Sequence, residues 1–207
     1  MTKVAPNSTL KTITKFLIAM LISMLVFMPT SGFADDWIAD QLRGRVFMFD
    51  AGEWVLLERG DVISDDRHIR TTGNGRVTFV RGNESIEVSS QTQIRIVDSS
   101  QTKFTTVMQD FGTVAVEADV EQVQHFAVQT TLLAAVLKGT RFSVTSKDGW
   151  SKVDVGHGLV EVRDLMNEVM TNIKPGQHAK CQPGGMMKIA GDGELEPLTT
   201  FEGEAVS

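Results

Sequence analysis

Short segments of alternating apolar and polar residues, interrupted by glycine, asparagine and aspartate, fill the chain between residues 40 and 179. Arg76–Val80 and Lys152–Val155 are two of these segments, and others recur at spacings of roughly 8–12 residues. Successive side chains of a strand point to opposite faces of its sheet, so this pattern predicts strands with one buried face. Asn74-Gly75 and Gly82-Asn83 predict tight turns. The pattern therefore predicts an all-β fold.

A loose internal repeat runs through these segments. A glycine followed by an alternating apolar pair occurs at Gly44, Gly75, Gly112 and Gly158, at separations of 31, 37 and 46 residues. We interpret each glycine as a corner that leads into an inward-facing pair of side chains. We therefore expect a stacked or solenoid-like β domain of short strands, and a closed sandwich also satisfies the pattern.

Residues 1–34 have the layout of a secretory signal peptide. Three lysines and no acidic residue precede a mostly apolar stretch at Phe16–Phe27, and Gly32-Phe33-Ala34 offers small residues for cleavage near Ala34. The apolar stretch is short for a bilayer, which needs about 20 helical residues. We expect a bacterial protein that is periplasmic or secreted, with no membrane span after cleavage; the alternative is an uncleaved N-terminal anchor.

The charge balance disfavours nucleic acid as a partner. The chain has 20 basic and 26 acidic side chains, and residues 1–34 hold three of the basic ones. The remainder therefore carries 17 basic against 26 acidic groups, a net charge of −9. Nucleic-acid binding depends on neutralising phosphates with lysine and arginine, so an acidic domain is unsuited to it.

The organisation predicted after the signal peptide has three parts. Residues 35–43 form an N-terminal lead-in, residues 44–179 the β domain, and residues 180–207 a tail rich in glycine and proline with an acidic end, which we expect to be poorly ordered. Met186–Ile189 could add one last strand. Cys181, the single cysteine, falls in this tail. It is interpreted as incidental, with an exposed reactive thiol as the alternative.

No arrangement of residues in the sequence specifies catalysis or metal binding. His68, His125, His157 and His178 are not spaced as ligands on one strand or helix face, and no G-x-S-x-G motif occurs. We therefore expect no enzyme activity, no cofactor and no metal. Arg59-Gly60-Asp61 spells an adhesion tripeptide, but a structural turn explains it better.

Three further residues receive structural interpretations. Lys138 and Arg141 flank a Gly-Thr step, and we interpret them as charges that protect a strand edge rather than as a ligand clamp. Trp150 follows a turn signal, and we expect it to be partly buried in the core, with a binding platform as the alternative.

Eight segments in order resemble the FecR domain family of bacterial envelope proteins. Leu57–Ile63 is similar to its L-x-x-G-D element, and Lys138–Val144 is similar to its R-G-T-x-F-x-V hallmark, with Lys138 in place of the usual arginine. The resemblance runs from about residue 57 to 179. The other segments are His68–Val77, Ile86–Ile94, Phe111–Val116, Phe126–Thr130, Val155–Val162 and Ile173–Gln177.

The resemblance implies an all-β, periplasmic, non-enzymatic domain with a set of structural signature positions. These positions are Gly60, Asp61, Thr71, Gly112, Lys138, Gly139, Thr140, Phe142, Gly158 and Gly176. The best-known relatives pass a signal from an outer-membrane receptor to a cytoplasmic sigma factor, and they carry an anti-sigma region and a transmembrane helix before this domain. In this chain the expected signal peptide directly precedes the domain, so we do not carry over the sigma-regulator role.

We expect a binding or scaffolding module of the envelope that acts through protein–protein contacts, at exposed strand edges or turn loops. Two alternatives remain at this point: a module that binds envelope polysaccharide or peptidoglycan, and a signalling component of a cell-surface system like those of iron uptake. The sequence names neither the partner nor the oligomeric state.

Overall fold

The computed structural model describes residues 36–64, 66–99, 104–118 and 126–206, so the predicted signal peptide lies outside the described residues. Within these ranges the chain forms strands and turns but no helix, and accordingly no helix that could cross a membrane. The predicted all-β class is confirmed. The strands of the described residues are β1 (Trp37–Arg43), β2 (Val46–Asp50), β3 (Glu53–Leu56), β4 (Val62–Ile63), β5 (Arg67–Thr71), β6 (Arg76–Arg81), β7 (Glu84–Val88), β8 (Gln93–Ser99), β9 (Phe104–Ala118), β10 (Phe126–Gln129), β11 (Leu133–Lys147), β12 (Trp150–Asp164), β13 (Val169–Ile173), β14 (Gln177–Gln182), β15 (Gly185–Gly191) and β16 (Thr199–Thr200).

Three 15-residue strands, β9, β11 and β12, each belong to two sheets. The first half of β9 pairs with β8 and β10, whereas its second half pairs with β7 and β11. β12 likewise pairs with β14 through its first half and with β13 through its second. The strands change sheets near Gly112, Gly139 and Gly158, where φ is +96°, +80° and +76°.

The registers define two sheets. Sheet 1 has the order β3-β2-β5-β8-β9-β10-β11-β12-β13-β16, and sheet 2 has the order β4-β1-β6-β7-β9-β11-β12-β14-β15. The ladder closes on itself, because β9 pairs with β11 both directly and through β10. The fold is a closed barrel with outer strands, and the expectation of a stacked or solenoid-like domain is not supported.

The glycine corners of the repeat mark the line along which the chain passes between the two sheets. Gly44 separates β1 in sheet 2 from β2 in sheet 1, and Gly75 separates β5 in sheet 1 from β6 in sheet 2. A Cβ on Gly75 would lie 2.2 Å from the Arg45 carbonyl oxygen, and one on Gly44 would lie 2.2 Å from that of Asn74. The two corners therefore pack backbone against backbone, which explains the choice of residue.

A single hydrophobic core lies inside these two sheets. It draws alternate residues from strands of both sheets, as the period-2 pattern predicts. Trp37 and Phe126, both fully buried, meet edge to face with their ring centroids 6.1 Å apart. The guanidinium of Arg81 lies 4.3 Å above the Trp37 ring, which gives this large side chain a polar contact inside the fold.

The predicted boundaries of the domain are too narrow at both ends. Trp37, in the expected lead-in, is fully buried, and its strand β1 pairs with β4 and β6. The expected poorly ordered tail contains β15 and β16. Met187 of β15 is buried, and Leu198 and Val206 pack against the core. Glycine and proline at 183–185 form a hairpin turn here, so their composition did not indicate disorder.

Replacing Gly112 by alanine should destabilise the fold more than the same change at Gly149. Both glycines have φ near that of a left-handed residue, +96° and +81°, so each substitution costs about 1–2 kcal/mol of backbone strain. A Cβ on Gly112 would also lie 2.2 Å from Thr92 Oγ1, whereas a Cβ on Gly149 meets nothing within 4 Å. Urea unfolding of the two variants should therefore differ by about 1–3 kcal/mol, and equal losses would show that the close contact is unimportant.

Candidate protein-interaction surface

The signature residues of the first turn are structural. The Asp61 carboxylate accepts a hydrogen bond of 2.8 Å from the Glu58 N–H, and the Gly60 N–H donates one of 2.8 Å to the Ala39 carbonyl. Gly60 has φ +94°, which favours glycine. The Arg-Gly-Asp tripeptide is thus the turn that joins β3 to β4, where it also ties this segment to β1.

Buried threonines connect the corners of neighbouring strands. Thr71 Oγ1 donates to the Ser89 carbonyl at 2.6 Å and accepts from the Thr92 N–H at 2.9 Å. Thr92 Oγ1 in turn accepts from the Thr113 N–H at 3.0 Å, beside the bend of β9. Thr71 and Thr92 are both almost fully buried, so their hydroxyls satisfy backbone groups inside the fold and do not face a ligand.

The hallmark segment lies at the bend of β11, and its Lys138 is not at a sheet edge. β11 pairs with β9, β10 and β12, so the interpretation of Lys138 as an edge-protecting charge is wrong. Lys138 Nζ lies 3.1 Å from Glu161 and 3.2 Å from Asn172 Oδ1 on the next two strands. Phe142 is buried in the core, and the side chain of Thr140 lies outside the described part.

Two carboxylates near Lys138 have lowered pKa values. Burial opposes the ionisation of Glu161, but hydrogen bonds from Arg163 and Lys138 outweigh it and lower the pKa of this carboxyl. The Asn172 amide, at 2.9 Å, is the main cause that lowers the pKa of Glu196. Their hydrogen bonds and ion pairs with Lys138, Arg163 and Asn172 tie β11, β12 and β13 together.

Of the remaining signature residues, Gly158 lies at the bend of β12, and Gly176 lies where the chain returns from sheet 1 to sheet 2. The Gly176 N–H donates to the Val155 carbonyl at 3.0 Å. The signature glycines all have positive φ at turns or bends, and Phe142 lies in the core.

The histidines are distributed over separate surfaces. His68 lies against Phe49 in sheet 1, with 6.5 Å between ring centroids, while His157 and His178 belong to sheet 2. His125 lies outside the described residues. Within the residues that the structure describes, no group of three or more His, Cys, Asp or Glu side chains is arranged so that it could hold a metal ion.

Cys181 is buried in β14, so the sequence interpretation of an incidental cysteine in a flexible loop is wrong. It is 1% exposed, and burial together with the nearby Asp164 carboxyl raises the pKa of its thiol to about 12. Asp164 is itself held by the N–H groups of Met166 and Asn167 at 3.0 and 3.1 Å. The thiol is a small core side chain and has no exposed position from which to react.

An apolar surface with one arginine covers the outer side of sheet 1 at its β3 end. Pairing of β2 with β3 and β5 brings six side chains to this side, which we name the aromatic–arginine face. Trp54 and Phe49 are opposite each other and lie edge to face at 5.3 Å. The Arg70 guanidinium lies 4.6 Å from the Trp54 ring. The members of the face are Phe47, Phe49, Trp54, Leu56, His68 and Arg70.

β3 is also the edge of sheet 1. Among the described strands it pairs with β2 alone, and all four of its residues are exposed, with Trp54 at 38%, Val55 at 39% and Leu56 at 54%. The Leu57 N–H bonds to the Val46 carbonyl, so in the alternating antiparallel pattern Trp54 and Leu56 direct their backbone N–H and C=O groups away from β2. This edge offers unpaired backbone groups next to large apolar side chains.

The sequence contains one indication of this surface, a run of three apolar residues in β3. Glu53–Leu56 reads as an ordinary strand, but three consecutive apolar residues in it leave no polar outer face. Buried strands also carry such runs, and only the position of β3 at an edge makes the run an exposed surface.

Comparison with known proteins finds a match to one family model and a shared fold. The family model described as FecR protein matches residues 67–161, from the start of β5 into the second half of β12. None of the curated proteins matches the chain. Two crystal structures of a "putative anti-sigma factor" from Parabacteroides distasonis ATCC 8503, at 2.50 and 1.65 Å resolution, have TM-scores of 0.53 with 17% and 16% identity.

Each of these alignments covers 60% of this chain and 59% of the other, so the chain spans about three-fifths of the length of those structures. At this level of identity, the likeness shows a shared fold.

The Cys181 thiol should resist labelling until the protein unfolds. With a pKa of about 12 and 1% exposure, it should react with a thiol reagent at pH 8 only in denaturant. Its pKa is raised above the ordinary 9.0, so the neutral thiol contributes stability below about pH 9 that is lost as pH rises towards 12. Cys181→Ala should remove this decline, and rapid labelling of the native protein would contradict the buried position.

Proposed function

We propose that this chain, whose residues 67–161 match the FecR family model, is a non-enzymatic binding or scaffolding module of the bacterial envelope. The module acts through protein–protein contacts, and its docking surface is the free edge of β3 with the adjoining aromatic–arginine face. The partner supplies an extended segment that adds to sheet 1 as a further strand. An envelope location rests on the signal-peptide pattern of residues 1–34.

The observation that carries this proposal is the unprotected edge of β3. Natural sheets cover, shorten or charge their edges because free backbone groups recruit other strands. β4 and β16, which end the sheets elsewhere, are two residues long, and the edge strand β15 carries Lys188. β3 has a charge only at its first residue, Glu53, and then presents Trp54, Val55 and Leu56. An edge of this composition is suited to strand addition, in which the backbone supplies affinity and side chains supply specificity.

The side chains beside the edge are of the types that dominate protein interfaces. Tryptophan and arginine are enriched among interface residues whose truncation costs most binding energy. Arg70 is already placed over Trp54, and its Nε donates to Gln93 Oε1 at 2.7 Å, so its side chain is held in position before a partner arrives.

A regulatory assembly is the setting that the comparisons favour. The FecR family and the fold shared with structures described as an anti-sigma factor support a signalling or regulatory component. In that setting the domain receives or passes a signal by holding a partner strand at β3. The proposal includes no enzyme chemistry and no cofactor.

Photocross-linking in cells that produce the protein tests this proposal. A photoreactive amino acid at Glu53, in β3, should form a discrete adduct with one envelope protein, whereas the same group at Glu87, exposed on sheet 2, should not. Leu56→Pro removes an outward N–H and should abolish the adduct, since proline is tolerated at a sheet edge whose N–H faces solvent. Leu56→Thr keeps the N–H and should retain most of the adduct.

The thermal unfolding of both Leu56 variants serves as the control, because each should melt within a few degrees of the parent. Equal adduct yields from positions 53 and 87, or an adduct that survives Leu56→Pro in a folded protein, would refute the β3 edge as the docking surface. Recovery of envelope glycan without any protein adduct would refute the protein-binding function itself.

A further inference from the structure

Three lysines form a row across the outer side of sheet 2, at the edge opposite to β1 and β4. Lys152 of β12 is directly opposite Lys180 of β14, and Lys180 is directly opposite Lys188 of β15. Adjacent strands are about 4.8 Å apart, so the row places one ammonium-bearing side chain on each of three successive strands. We name these residues the lysine row.

The ring of Trp150 positions two lysine ammonium groups next to the row. Trp150, two residues before Lys152 on the same side of β12, has Lys180 Nζ at 4.7 Å and Lys147 Nζ at 5.7 Å from its ring centroid. A cation–π contact orients an ammonium without neutralising it. Trp150 therefore holds two positive charges available to an incoming anion. It lies on the outer side of β12 and not in the core, so the expectation that it is part of the core is wrong.

The row is largely uncompensated by the protein's own carboxylates. Lys152 lies 2.5 Å from Asp154, but no ion pair joins Lys147, Lys180 or Lys188 to a carboxylate among the residues that the structure describes. Like charges placed directly opposite on neighbouring strands disfavour folding. Lys180 has a lysine directly opposite it on both neighbouring strands, in a chain with a net charge of −6. This arrangement does not favour folding, which indicates that the lysines bind a ligand.

Hydroxyl groups extend the lysine row towards the middle of sheet 2. The line of the row continues through Thr145 and Thr113, whose hydroxyl oxygens are 3.1 Å apart on β11 and β9. The neighbouring line contains the small side chains of Ala115, Ser143 and Ala190, together with Asp154 and His178 between the last two. Met186 of β15, two residues before Lys188, is an exposed apolar side chain on this side, at 45%. Ammonium and hydroxyl groups predominate around it, and such a surface is unsuited to membrane insertion. Hydroxyls beside cations suit a hydrated, extended anion that lies on the sheet.

We propose that the lysine row binds a linear carboxylated polysaccharide, which lies across β12, β14 and β15 with its carboxylates on Lys152, Lys180 and Lys188. The threonine hydroxyls of β9 and β11 extend this track and hydrogen-bond sugar hydroxyls. The site is on the sheet opposite to the β3 edge, so it goes beyond the proposed protein contact and does not depend on it. Neutral polysaccharide lacks the groups that the lysines recognise.

The test compares polymer binding by two charge-matched double variants of the full domain. Lys180→Gln/Lys188→Gln removes the two outer members of the row. Arg43→Gln/Arg76→Gln removes two positive charges that are likewise directly opposite on sheet 2, at its other end. Binding of polygalacturonate, measured by calorimetry in low salt, should weaken about tenfold in the lysine variant, because exposed charge contacts contribute modestly each. It should change little in the arginine variant.

Two further arms decide the ligand class. Dextran should not bind, and polygalacturonate binding should weaken as salt rises because the contacts are exposed. If polyglutamate bound as tightly as polygalacturonate, the ligand class would be an acidic polypeptide and not a polysaccharide, and the proposal would be overturned. If binding weakened equally in both double variants, it would depend on net charge and not on the lysine row, and the proposal would also be overturned. The lysine variant should melt no lower than the parent, since it relieves like-charge contacts.

Discussion

The bend in the three long strands is the constraint on which the rest of the structure depends. A strand that continues from one sheet into another must turn sharply without losing its neighbours. At Gly112, Gly139 and Gly158 it does so with φ between +76° and +96°, a region that side chains disfavour. The bends of β11 and β12 are side by side, with Thr140 opposite Gly158, so these two strands stay paired on both sides of the corner. β9 bends at Gly112, opposite Ser146 near the end of β11, and its two halves pair with different neighbours. The two sheets therefore close around one core.

This construction separates stability from recognition. The corners, the buried threonines and the alternating core residues use the inward side chains and most of the family signature. The outer sides of the two sheets are left free to differ. Sheet 1 presents the aromatic–arginine face and the open edge of β3, while sheet 2 presents the lysine row. A rigid framework with two chemically distinct surfaces is suited to holding partners, and this is how we interpret the module.

Local patterns predicted the class of the fold and its corners but not its closure. Period-2 alternation identifies a strand and its buried side, and a glycine before an apolar pair marks a corner, as at Gly112 and Gly158. Neither pattern says which strands are neighbours, because pairing depends on contacts between distant residues. The sharing of β9, β11 and β12 by two sheets was therefore not predicted. For the same reason, the composition of residues 180–207 predicts a poorly ordered tail, although Met187 is buried in the core. The possible last strand at Met186–Ile189 lies within β15.

The candidate surfaces were hidden for a related reason. Trp54 reads as a strand residue, and Lys152, Lys180 and Lys188 are far apart in the sequence. The strand order creates the edge in the first case and the row in the second. Lys138 shows the opposite error: its charge indicated an edge, yet it lies in the interior of sheet 1 and pairs with Glu161. Charge alone does not reveal whether a strand is central or at an edge.

Native-state hydrogen exchange tests the central claim, that the bent strands make the two sheets one cooperative unit. Amides of β9 on either side of Gly112, for example those of Val107 and Val116, should exchange through the same global opening and share one free energy and one denaturant dependence. The corresponding halves of β11 and β12 should behave in the same way. If one half of each strand opened at distinctly lower free energy than the other, the two sheets would be separate units, which would contradict the claim that the bends join them.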